Sequence, residues 1–120
     1  MKTTKKLDVR YSPECEKQVE ELKQIIKEKD SKFHKQLLKA IEREKDYLFI
    51  NPHRGIQVEK RKIPPGYITQ HGVNNLWKIN LPDYWRMIYT IAGNELEIIS
   101  ILLEFMDHKT YNKKFKYENK

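Results

Sequence analysis

Apolar and polar residues alternate at the start of the chain and then give way to helical spacing. Residues 7–11 carry an apolar side chain at every second position, which is typical of a half-buried strand. Residues 13–29 carry apolar side chains at intervals of three and four, which predicts an amphipathic helix. Ser12 and Pro13 suit the N-cap and the first helical position of that helix. A second amphipathic helix is predicted behind a cap at Ser31.

The middle of the chain has no sustained periodicity. Asn51-Pro52 ends the second helix, and glycines and prolines recur over residues 52–75. A short strand is predicted within 55–63 and a helical turn within 65–71. A connection of this length usually has structure of its own or serves function.

The last third of the chain predicts three strands, at residues 76–81, 84–91 and 95–105. The turn at 92–94 contains glycine and asparagine and joins the last two strands as a hairpin. The third strand is apolar at both odd and even positions. This pattern predicts a central strand that is buried on both faces.

These elements together predict an α+β fold: an N-terminal strand, an antiparallel helical hairpin and an antiparallel sheet meander. The two helices are expected to pack on one face of the sheet, which leaves the other face for function or for a partner. A chain of 120 residues fits one domain. We expect that domain to cover residues 1–120, with flexible ends at 1–6 and at about 113–120.

Composition narrows the class of partner. The formal net charge is +7, which favours a polyanion such as RNA, DNA or an acidic protein. No apolar stretch is long enough to span a bilayer, and the start of the chain has no secretion signal. Cys15 is the lone cysteine, which fits a reduced, cytoplasmic compartment. It is expected to be a small packed side chain in a helix and not a nucleophile.

Strand alternation places a candidate phosphate contact on the uncovered face. If Asn80 pairs with Arg86, then Lys78, Asn80 and Arg86 project from the face opposite the bulky apolar residues. An arginine can hold a phosphate with two parallel hydrogen bonds and stays charged at any relevant pH. The same pattern is also typical of an ordinary solvated sheet face.

Further candidates lie near the ends of the predicted strands. His108 follows the last strand, and a histidine can both accept and donate a proton near neutral pH. An ordinary exposed histidine fits the sequence equally. The remaining histidines lack the spacing of metal ligands, so no metal site is predicted. Dense basic runs are expected either to keep the chain soluble or to follow a nucleic-acid backbone. Their candidate contacts are Lys60, Arg61, Lys109 and Lys113.

Four segments resemble the RelE/ParE toxin superfamily, in particular its archaeal-type RelE-like branch. These segments are residues 9–14, 75–81, 84–91 and 107–112, and the order of elements is similar over nearly the whole chain. The resemblance implies the toxin of a type II toxin–antitoxin pair that inhibits translation. Such toxins are endoribonucleases that cleave mRNA in the ribosomal A site. They use the RNA 2′-hydroxyl as nucleophile and need neither metal nor cofactor.

The resemblance also implies roles for individual residues. Lys78 would be a charge-stabilising or base lysine, and Arg86 would hold the scissile phosphate. His108 falls near a position where relatives carry a basic or proton-transferring residue. Tyr111 would stack on the substrate base or orient it. Asn80 would contact substrate at a place where well-known RelE toxins have a second lysine, so the site carries less charge here.

The implied partners are the ribosome, mRNA and a cognate acidic antitoxin, with no membrane partner. The antitoxin would wrap the helical hairpin or the basic face and fold as it binds, so oligomers are expected to form through it. Two other functions remain open at this point. One is a ParE-like toxin that poisons DNA gyrase. The other is a catalytically degenerate relative that only binds RNA or a protein.

Overall fold

The computed structural model describes residues 5–115, and its elements follow the predicted order. Residues 5–115 contain the α-helices α1 (Pro13–Glu28), α2 (Lys32–Leu48), α3 (Pro65–His71) and α4 (His108–Phe115). The strands of this part of the chain are β1 (Lys6–Tyr11), β2 (Ile56–Gln57), β3 (Trp77–Asn80), β4 (Arg86–Gly93) and β5 (Glu97–Met106). Within residues 5–115, no helix has the length and apolar character needed to cross a bilayer.

Local sequence explains where the first two helices begin. The Ser12 hydroxyl accepts a hydrogen bond from the Cys15 N–H at 3.1 Å, and Pro13 occupies the first helical position. The Ser31 hydroxyl caps α2 in the same way, by accepting from the His34 N–H at 3.3 Å. Both predicted caps are confirmed. Cys15 is fully buried, and this burial raises the pKa of its thiol to about 12, so it lacks the thiolate character of a nucleophile.

The strands form one mixed sheet in the order β1-β5-β4-β3-β2. From β2 to β5 each strand runs antiparallel to the next, which confirms the predicted meander. At the other edge β1 runs parallel to β5, with Lys6 opposite Glu97. The alternation of apolar and polar residues predicts the first strand but does not specify that it pairs in parallel with β5. The α+β class and the position of α1 and α2 on one sheet face are confirmed.

Strand β5 is buried on both faces, as its apolar residues predict. Leu102 and Phe105 pack with α1 and α2 in the larger apolar cluster, whereas Leu103 and Met106 belong to a second cluster on the opposite face. The pairing with β4 shifts register next to Ile88, which leaves Leu103 as the extra residue of a β-bulge. Ordinary strand alternation places Leu102 and Leu103 on different faces of the sheet, and the bulge places Glu104 on the same face as Leu103.

The face opposite α1 and α2 differs from expectation, because α3 and α4 cover part of it. Tyr67 of α3 and Tyr111 and Phe115 of α4 are buried there. Tyr111 and Phe115 are four residues apart and so lie on one side of α4, with their rings stacked at 4.5 Å between centroids. Residues 113–115, expected at a flexible end, form the last turn of this helix. The expectations for 1–4 and 116–120 lie outside the described residues.

A buried tyrosine fixes the loop before β2. The Tyr89 hydroxyl donates to the Pro52 carbonyl oxygen at 2.7 Å and accepts from the Gly55 N–H at 3.0 Å. A Cβ atom on Gly55 would lie 2.7 Å from the Lys78 carbonyl oxygen, so only glycine allows this close approach. The loop therefore packs directly against β3, the strand that carries Lys78.

Candidate functional site

The register of β3 and β4 brings the predicted phosphate contacts to one face. Asn80 lies opposite Arg86 and Lys78 lies opposite Ile88, which confirms the predicted pairing. Trp77 and Ile79 belong to the cluster beneath α1 and α2, whereas Ile88 belongs to the cluster on the opposite face. Because side chains alternate along a strand, Lys78 and Arg86 both project away from the helical hairpin.

Tyr111 of α4 lies against both of these cations. The Lys78 ammonium donates to the Tyr111 hydroxyl at 2.9 Å and lies 5.3 Å from the centroid of its ring. The Arg86 guanidinium lies 5.4 Å from the same centroid. Tyr111 is only 3% exposed, so the ring is fixed in place. We refer to these three residues as the cation–tyrosine cluster.

The electrostatics of the cation–tyrosine cluster are those of an anion site. The pKa of Lys78 is lowered from its ordinary value, first by burial and then by the positive charges of Arg86 and Lys62. An approaching phosphate would relieve the repulsion among these three cations. Arg86 donates one hydrogen bond to the Trp85 carbonyl oxygen at 3.1 Å. A guanidinium has five N–H groups, so donors remain for a phosphate.

A second set of polar contacts ties α3 and α4 to the sheet. Glu104 of β5 accepts a hydrogen bond from the Tyr67 hydroxyl at 2.5 Å and another from the Lys114 ammonium at 2.7 Å. Burial and the bond to Glu104 both raise the pKa of Tyr67. These contacts anchor α4 and hence hold Tyr111 in place. The sequence alone did not indicate them, because the three residues are far apart along the chain.

His108 lies at the start of α4, beside the turn that precedes Arg86. Its ring centroid is 6.0 Å from that of Tyr84, and its Nε2 atom is 3.2 Å from Nδ2 of Asn112. The preceding Asp107 caps α4 by accepting from the Thr110 N–H at 2.8 Å, and contacts with Thr110 lower the pKa of this carboxyl. His108 is exposed and so accessible to a substrate.

Of the predicted substrate contacts, Asn80 lies beside Arg86, and the others lie on elements that flank the cation–tyrosine cluster. Asn80 is exposed and lines a concave surface together with Arg86 and Tyr84. The others are exposed side chains on the elements that flank the cluster, and Arg61 forms a 3.0 Å ion pair with Glu59. These exposed residues are Lys60 and Arg61 on a 3-10 turn, and Lys109 and Lys113 on α4.

Two residues near the site were not predicted as site members. Lys62 ends the basic run of the 3-10 turn and is close enough to Lys78 to lower its pKa. The basic run at residues 60–62 indicated a candidate anion contact, but the sequence does not show which of its three cations faces the sheet. Tyr84 was assigned to a strand, whereas the structure places it in the preceding turn. For metals, no group of three His, Cys, Asp or Glu within residues 5–115 is arranged to hold an ion.

The proximity of the two cations can be tested by titration. We expect Arg86→Gln to raise the pKa of Lys78 toward its ordinary value, because the substitution removes a nearby positive charge. Burial is unchanged, so the pKa should still lie below that of an exposed lysine. The measurement is a heteronuclear NMR titration of the lysine side chains. Arg43→Gln, at an exposed position of α2, should leave the Lys78 pKa unchanged. An unaltered Lys78 pKa in Arg86→Gln would contradict the proposed geometry.

Comparisons with protein-family models, with curated proteins and with solved structures found no match for this chain.

Proposed function

We propose that this protein is a RelE-like toxin of a type II toxin–antitoxin pair and cleaves mRNA on the ribosome. The proposal rests on the resemblance of four sequence segments and on one structural observation. That observation is the convergence of Lys78 and Arg86 on Tyr111, on the sheet face opposite the α1–α2 hairpin. Two cations held beside a fixed tyrosine suit the phosphate of a nucleotide.

Cleavage of RNA by its own 2′-hydroxyl needs charge stabilisation and two proton transfers. The 2′-oxygen attacks the adjacent phosphorus, the bond to the 5′-oxygen breaks, and a 2′,3′-cyclic phosphate and a 5′-hydroxyl result. In our proposal Arg86 holds the non-bridging oxygens and Lys78 stabilises the charge that develops on them. The lowered pKa of Lys78 also favours this residue as the group that accepts the proton of the 2′-hydroxyl. His108 would return a proton to the 5′-oxygen.

The remaining cations suit a large polyanionic partner. Exposed Lys60, Arg61, Lys109 and Lys113 add positive charge to the elements around the cluster, where ribosomal and messenger RNA would bind. We also propose an acidic antitoxin that binds this chain, forms the toxin–antitoxin oligomer and suppresses activity in the cytoplasm. The net charge of +7 is consistent with such a partner.

The proposal is tested by mapping mRNA ends in cells. Expression of the native chain should arrest growth and produce new 5′ ends within translated mRNA, detected by primer extension. Arg86→Ala should abolish both effects because it removes the phosphate contact. Arg43→Ala provides a matched control, since it removes the same charge from an exposed position on α2. Circular dichroism spectra of the three proteins should be the same.

Other outcomes would point to the alternative functions. Growth arrest with gyrase-dependent DNA breaks and intact mRNA would indicate a ParE-like toxin. Growth arrest that persists unchanged in separate Lys78→Ala, Arg86→Ala and His108→Ala variants would indicate a relative that acts by binding alone. Either result would overturn the assignment of catalysis to the cation–tyrosine cluster.

A further inference from the structure

The turn between β3 and β4 has a tyrosine, Tyr84, at a position where glycine is usual. Asp83 and Tyr84 both have positive φ, 57° and 65°, and the Trp85 N–H donates across the turn to the Pro82 carbonyl oxygen at 3.3 Å. Two left-handed central residues are the hallmark of a type I′ turn, where Asp-Gly or Asn-Gly is usual. Aspartate is well suited to the first place. A tyrosine in the second place is strained, because a side chain disfavours this backbone conformation.

Packing gives no compensation for this strain, because Tyr84 is 71% exposed. Its ring faces the His108 ring at 6.0 Å, and it lines a concave surface with Arg86, Asn80 and Asp83. An exposed aromatic ring thus stands next to the arginine that is proposed to hold the scissile phosphate. Residues with strained backbone conformations cluster at functional sites.

We propose that Tyr84 is a stacking platform for an unpaired RNA base adjacent to the phosphate held by Arg86. The inference rests on the proposed function, because it takes single-stranded RNA as the substrate. A nucleotide whose phosphate meets Arg86 can lay its base on the exposed Tyr84 ring. The Asp83 carboxylate lines the same concavity and disfavours a second phosphate there, so a base is the better occupant. Stacking of this kind tolerates any base.

Because the backbone at Tyr84 is strained, one substitution can separate a structural role of the ring from a role in binding. Tyr84→Gly removes the ring and at the same time installs the residue that the turn prefers. A structural role for the ring predicts a lower melting temperature for this variant. A substrate role predicts a melting temperature that is unchanged or raised, together with weaker binding of RNA. Tyr84→Phe keeps the ring and should retain native affinity.

The binding measurement uses fluorescence anisotropy with a short single-stranded oligoribonucleotide and with an abasic oligomer of the same length. We expect Tyr84→Gly to weaken binding of the normal oligomer by roughly 5- to 100-fold, the usual range for one lost stacked base. Binding of the abasic oligomer should be the same for Tyr84→Gly and the native chain. Arg86→Ala should weaken the binding of both oligomers, because it removes a phosphate contact.

These measurements separate this inference from the proposed function. Unchanged affinity of Tyr84→Gly for the normal oligomer, with weaker binding by Arg86→Ala, would overturn the stacking role alone. Equal weakening of both oligomers by Tyr84→Gly would also overturn it, since the loss would not depend on a base. If the native chain bound neither oligomer, the stacking role would fall, whereas the proposed function would still be decided by the mapping of mRNA ends.

Discussion

Replacing Arg86 with alanine should lower the rate of mRNA cleavage on purified translating ribosomes by about 10²–10³-fold, the usual cost of losing one preorganised contact to developing charge. The guanidinium lies next to Tyr111 and on the same face as Lys78, where it can contact a phosphate. Single-turnover kinetics with saturating toxin isolate this step from binding. Arg86→Lys should recover only part of the cleavage rate, because lysine keeps the positive charge but cannot form bidentate hydrogen bonds with a phosphate.

The coupling between the two cations gives an internal control for this prediction. If Arg86 and Lys78 stabilise the same phosphate, the loss in Lys78→Met/Arg86→Ala should be smaller than the product of the two single losses. Arg43→Ala should cleave at the native rate. An Arg86→Ala protein with native single-turnover kinetics would remove Arg86 from the proposed chemistry.

Both faces of β5 should prove essential to stability. Leu102 is 0% exposed and Leu103 is 2% exposed, yet the two belong to different apolar clusters. We expect Leu102→Ala and Leu103→Ala each to lower the free energy of unfolding by about 2–5 kcal/mol, since each leaves a cavity in a packed cluster. Urea denaturation monitored by circular dichroism provides the measurement.

A leucine elsewhere in the chain supplies the control for these core substitutions. Leu96 precedes β5 and is 76% exposed, so Leu96→Ala should change the free energy of unfolding by no more than about 0.5 kcal/mol. If one face of the sheet were exposed to solvent, Leu103→Ala would lower the free energy of unfolding as little as Leu96→Ala does. That outcome would contradict the packing of α3 and α4 over this side of the sheet.

Sequence patterns predicted the fold well where local physics determines structure. Ser12 and Ser31 cap the helices as expected, because capping depends on residues within one turn. The burial of β5 on both faces of the sheet was predicted from its apolar residues at odd and even positions. The helix at 108–115 was missed because its three lysines and one histidine obscure a stripe of only two buried rings. A two-residue stripe gives too little periodicity to identify a helix.

The candidate site was predictable in its sheet residues and less so in its surroundings. Lys78 and Arg86 could be assigned to one face because strand alternation leaves only two choices. The position of Tyr111 against them depends on α4, which is held by the Glu104 contacts with Tyr67 and Lys114. These contacts link separate elements, so no local pattern reveals them. Tyr84 was assigned to a strand because its left-handed conformation goes against the preference of its residue type.

The parallel pairing of β1 with β5 has a consequence for biosynthesis. Lys6 pairs with Glu97, so the first strand meets β5, its neighbour among the strands of residues 5–115, after about 90 further residues have been made. At ordinary translation speeds of roughly 5–20 residues per second, this interval lasts about 5–18 s. Such high contact order also slows folding after synthesis. A newly made chain should therefore remain incompletely folded until β5 emerges, and a ligand or chaperone that binds the early helices has several seconds in which to act.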